Sequence, residues 1–313
     1  MEYADLKVEQ VVLEDQENAY FDLKELEGAI VEPDGALLEK HLNGELWEPS
    51  FVEETLDSNH ELFEILDRAS QKEGVQEPGF ADISSLSFEK AAPTVTSMPS
   101  AARISALAAL SLQQEGKETQ AFEEILRTLK VVRMFQEAQG TMVHQVVAIT
   151  TTALSLDTAT RLLETSSLPE ETLAEYRAQF EPYYEAESTM IAAIKVQTQL
   201  AFNLVDSLET METGVFGSLT SGVSAKDYYL PGFAYRYYLH PNETKALLAA
   251  NSRDLIERIQ QGCTDLEEKE LFFQDKSPLT LYFTENALGS LIFEAVQANP
   301  GGANWACERG VGK

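Results

Sequence analysis

Cysteine, histidine and positive charge are the scarce commodities of this 313-residue chain: two cysteines, four histidines, and 23 lysines and arginines against 52 acids. Cys263 and Cys307 stand far apart, without CxxC spacing or neighbouring histidines, so a zinc site is excluded. Whether they pair is open at this level, because spacing alone does not bring two Cα atoms together. The formal charge of −29 opposes binding to phosphate backbones, so nucleic acid is not an expected partner. No run of 18 apolar residues exists, and MEYADLKVEQ is polar and acidic, so neither a membrane span nor a signal peptide is expected.

Catalytic signatures are missing as well. There is no GxxxxGK[ST] or GxGxxG for phosphates, and no GxSxG for a nucleophile. No ExxH pair exists for a di-iron bundle, and Asn59-His60-Glu61-Leu62-Phe63-Glu64 lacks the second histidine of a zincin. No metal or other cofactor is indicated. His144 lies in the most apolar segment and reads as a hydrogen-bonded core histidine, with a buried base as the alternative.

What the chain has in quantity is 3.6-residue periodicity. Gln16 to Ile30 places Ala19, Leu23, Leu26 and Ile30 on one face, and Phe51 to Ala69 repeats the pattern with acids opposite. Residues 71–100 carry three prolines without periodicity and read as an irregular connection. Ser100 is the expected N-cap of the next helix, and Gly116 its end, where a left-handed turn suits glycine. Gly116-Lys117 then joins two amphipathic helices into a hairpin resembling a tetratricopeptide unit, but without a second copy.

Thr141 to Thr165 reads as a central buried helix in which Thr150, Thr151 and Thr152 bond back to the preceding turn. Ser167-Leu168-Pro169-Glu170-Glu171 starts another helix, Pro182 interrupts it, and a long helix follows to about Leu208. Asn242 is the expected cap of a helix ending near Gly262. The expectation is an all-α fold of stacked helical hairpins, α-solenoid-like or an irregular bundle. It divides into an acidic N-terminal helical segment (1–70), the connection (71–100), a main helical domain (101–298) and a flexible tail (299–313). Charge follows this division: residues 1–100 hold 24 acids and 6 bases, the remainder 28 and 17.

The densest local feature is Tyr228, Tyr229, Phe233, Tyr235, Tyr237 and Tyr238, followed by His240. Tyrosines combine contact area with a polar tip, which suits a protein or peptide partner. The competing reading, which the sequence favours, is that these rings fasten a loop to the helices.

Gln16-Glu17-Asn18-Ala19-Tyr20, Pro241-Asn242-Glu243-Thr244 and Glu285-Asn286-Ala287-Leu288-Gly289 together resemble landmarks of a diffuse group of uncharacterised, usually membrane-anchored, all-helical bacterial proteins. This chain departs from the group in Ala287, which replaces a proline, and in lacking the anchor and the sequence beyond the last turn. The resemblance implies a bacterial envelope location and carries no activity. The reading that follows is a non-enzymatic helical scaffold or binding protein. An enzyme using a buried histidine with a carboxylate, and an oligomeric structural subunit, are the alternatives.

Overall fold

The computed structural model describes residues 3–8, 12–80, 82, 97–210 and 240–261. Helices account for nearly all of the regular structure among them. In chain order they are α1 (Tyr20–Ala29), α2 (Gly35–Leu42), α3 (Pro49–Ser58), α4 (His60–Ser70), α5 (Met98–Gln114), α6 (Glu118–Glu137), α7 (Met142–Thr165), α8 (Glu170–Phe180), α9 (Glu187–Thr210) and α10 (Pro241–Gln260). The fold is an all-α bundle, as the periodicity requires.

Helices α5, α6 and α7 pack against one another at the centre; α1 and α4 cover one side of α6, α2 and α3 lie on α5, and the α9–α10 pair packs on α7. One apolar cluster joins α1, α4, α5 and α6 through Leu23, Leu26, Leu62, Ile65, Ile104 and Phe135, all essentially without exposure. A second joins α5, α6, α7 and α8 through Ala109, Phe122, Ile125, Leu129, Leu162 and Phe180. Each such side chain contributes roughly 1.5–3 kcal/mol by leaving water.

The turn at Gly116 has the expected geometry. Its φ is +77°, Gly116 N–H donates to the Gln113 carbonyl, and Lys117 N–H to that of Leu112 at 2.8 Å. This satisfies the last carbonyls of α5 and reverses the chain into α6. The threonines of α7 also behave as expected, Thr150 and Thr151 each donating at 2.7 Å to the carbonyl four residues back.

Three boundaries and one buried face differ from the expectation. Helix α5 begins at Met98, because Ala101 N–H already reaches the Ser97 carbonyl and Pro99 sits in the first turn, where no N–H is needed; Ser100 is therefore internal. The Phe51–Ala69 pattern is two helices broken at Asn59. The Asn59 amide donates to the Thr55 and Val31 carbonyls and accepts from Val31 N–H, taking over the carbonyl that would continue α3. Helix α10 is capped by His240, whose carbonyl accepts from Thr244 N–H at 2.9 Å, so Asn242 lies inside the first turn. In α7, Val143 is exposed while His144, Gln145, Thr151 and Ser155 are buried; hydrogen bonds from the Gln145 amide and the Thr151 and Ser155 hydroxyls to backbone carbonyls offset part of the cost.

The part of the connection that is described is docked. Asn18 pairs with Gly74 in an isolated parallel bridge, and its amide accepts from Tyr20 and Gln76 N–H and donates to the Gln76 carbonyl at 2.7 Å. At the other end of the bundle, Leu6 enters the α9–α10 core and Asp5 receives two bonds from Arg253, at 2.6 and 2.8 Å.

Glu118, the first residue of α6, ties that helix to the α7–α8 turn. It accepts from the Ser166 hydroxyl and, at 2.6 Å, from that of Ser167, whose N–H donates too. Hydrogen bonds from Ser166 and then Ser167 hold its carboxyl below the ordinary range. The stabilisation is present above the unfolded-state value of about 4.3 and is lost as pH falls through the lower folded value. Glu118→Gln should therefore remove about 1 kcal/mol at pH 7 and flatten the acid limb of a stability-versus-pH curve. An unchanged acid limb in urea titrations would contradict this role.

Candidate functional site

Of the partner-binding residues expected from sequence, Tyr228, Tyr229, Phe233, Tyr235, Tyr237 and Tyr238 lie outside the described residues, as do Cys263 and Cys307. His240 is described. It caps α10, and its Nδ1 stands 2.9 Å from Glu243 Oε2, an arrangement internal to the helix start.

His144 is almost fully buried and sits beside Glu77, with Nε2 3.3 Å from Oε1; the carboxyl is itself only 3% exposed. Nδ1 accepts from Thr141 N–H at 3.1 Å, completing a capping box at the start of α7. With Nδ1 accepting, the ring proton falls on Nε2 and faces Glu77. Phe80 meets the imidazole edge-on at 5.0 Å and Phe135 lies at 5.9 Å. A general base needs a free lone pair within reach of substrate. Here the lone pair is committed to a backbone amide, and two aromatic rings pack against the imidazole. Gly140 makes this possible: a Cβ on it would come within 2.6 Å of His144 Cγ.

His41 is also buried, stacked on Phe51 at 4.8 Å and edge-on to Trp47, and neither ring nitrogen has a hydrogen-bond partner among the described residues. No group of three or more His, Cys, Asp or Glu side chains suited to a metal ion occurs among the described residues. No helix there is long and apolar enough to cross a membrane.

The feature with the geometry of a site is an open groove of about 400 Å³ where α4, α6 and the end of α8 meet. It is lined by Ser70, Leu126, Arg127, Lys130, Gln179 and Tyr183. Helix α6 supplies its floor, since residues three and four apart share a helix face. Arg127 is half-buried; it pairs with Glu124 on its own helix and lies 3.8 Å from Asp67 on α4. Burial pulls its guanidinium below the ordinary value, against the opposing pull of Asp67 and Glu123. Lys130 is exposed and makes no ion pair among the described residues. Tyr183, in the 3-10 turn Glu181–Tyr184, walls the groove, and burial raises its hydroxyl pKa. The same side chain borders a small cavity of about 40 Å³, with Ile149, Ala153 and Leu156 behind it.

Sequence reading passed over this groove, although a signal existed. Arg127, Lys130 and Arg133 recur every third residue along one stripe of α6 in a chain with more than twice as many acids as bases. What could not be read was that α4 and α8 flank that stripe.

No protein-family model, curated protein or solved structure matches the chain.

Proposed function

We propose that this protein is a non-enzymatic helical binding protein and that the groove between α4, α6 and α8 is its contact surface for a protein or peptide partner. The observation that carries the reading is the groove itself. It sets a lysine without an ion-pair partner among the described residues and a half-buried arginine beside Leu126 and the Tyr183 ring, in a chain of net charge −29. Arginine and tyrosine are enriched at the centres of contact sites, and exposed charges such as Lys130 belong to their polar rims. Commitment of the His144 lone pair to helix capping favours binding over catalysis. Shared motifs with envelope-associated bacterial proteins support a location at the cell envelope.

A random peptide display library, selected on the wild-type protein and on Lys130→Glu, tests this. Lys130 is exposed, so the variant is expected to keep its free energy of unfolding within about 0.5 kcal/mol of the wild-type value. Peptides enriched by wild type should be lost by the variant. Enrichment indifferent to Lys130 would move the contact surface elsewhere, and no enrichment at all would count against a peptide partner.

A further inference from the structure

Resting on the groove reading, we infer the chemistry of the partner: a segment with a single carboxylate next to a bulky aliphatic residue, on an otherwise neutral or basic stretch. Three observations set these requirements. Lys130 has no carboxylate partner among the described residues and stands in the groove beside Gln179 and Tyr183, so its charge is available to one anion. Charge-assisted contacts of this kind are short and about twice as strong as neutral ones. Leu126 and the Tyr183 ring lie in the same groove, and an apolar side chain next to the anion covers them.

The third requirement is a limit on further acids. Arg127 is already engaged by Glu124 and Asp67, with Glu123 also near, so a second acid in the partner would face these carboxylates. Beyond the groove, the chain's net charge of −29 repels any strongly acidic segment and attracts a basic one. The Debye length is about 8 Å at physiological ionic strength, so this long-range field acts on the encounter, whereas the Lys130 contact acts within the complex. The two contributions should separate in kinetics. Added salt slows association, and loss of the Lys130 contact speeds dissociation.

The probe is a capped peptide of lysine and alanine with one central glutamate-leucine pair, measured by fluorescence anisotropy. Replacing its glutamate by glutamine should weaken binding on the order of tenfold, and replacing its leucine by alanine should weaken it several-fold. The Lys130→Glu protein should lose the parent peptide to a similar extent. It should bind better to the peptide carrying lysine in place of that glutamate. A reversal of preference on charge exchange is a result that altered folding cannot produce. No binding of the parent peptide, or equal affinity for its glutamate and glutamine forms, overturns the inference. If display selection nonetheless yields Lys130-dependent peptides without acids, the groove remains the contact surface and only the ligand chemistry is wrong. If no peptide in either experiment depends on Lys130, both readings fall.

Discussion

His144→Ala is expected to lower the free energy of unfolding by about 3–5 kcal/mol, the largest effect anticipated for a single polar side chain here. Three losses coincide. The Glu77 carboxyl, 3% exposed, loses the imidazole that faces it at 3.3 Å. Thr141 N–H loses its acceptor at the start of α7. The ring contacts to Phe80 and Phe135 leave a cavity where α6, α7 and the Pro78–Phe80 turn converge. Gly140→Ala should reproduce part of the effect, about 1–3 kcal/mol, by pushing the imidazole from its seat. Glu77→Gln separates charge from shape. Its amide keeps the shape of the group 3.3 Å from Nε2, so a loss below about 1 kcal/mol is expected for a contact with an uncharged ring. A loss as large as that of His144→Ala would contradict the assignment of Nδ1 as an acceptor and of the ring as uncharged. Urea denaturation with midpoint and slope reported separately decides between them.

Phe122→Ala is the second, with an expected loss of about 3–5 kcal/mol and a consequence at a distance. The Phe122 ring has no exposure, stacks on Tyr176 at 4.3 Å and lies 6.2 Å from Phe180. These contacts hold α8 against α6. Gln179 and Tyr183, two walls of the groove, are carried by α8 and the turn after it. The substitution should therefore loosen one side of the groove before the remainder of the bundle unfolds. Amide hydrogen exchange is expected to rise first in Glu170–Tyr184, with α1 and α4 protected to near the global stability. Uniform loss of protection would show that α8 does not behave as a separately docked element.

Much of this architecture was legible because helix periodicity is a local property. Ala19, Leu23 and Leu26 fell on the predicted face and are buried. Gly116 was recognisable because few other residues take its backbone conformation at low cost. One error arose where a side chain from elsewhere intervened: Asn59 ended a helix by reaching Val31, 28 residues earlier. His144 was identified as a hydrogen-bonded core residue, but its seat depends on Gly140, Phe80 and Glu77, of which only Gly140 is a near neighbour in sequence.

The sequence alone therefore determined the helical class, the order of the main helices, their buried faces and the strong negative charge. All of these follow from residues a few positions apart or from composition. The tertiary structure decided which helices meet, which polar groups are satisfied in the core, and that the basic stripe of α6 lies between α4 and α8. Those outcomes depend on side chains separated by tens of residues, whose approach is set by the packing of the whole bundle and leaves no periodic trace in the chain.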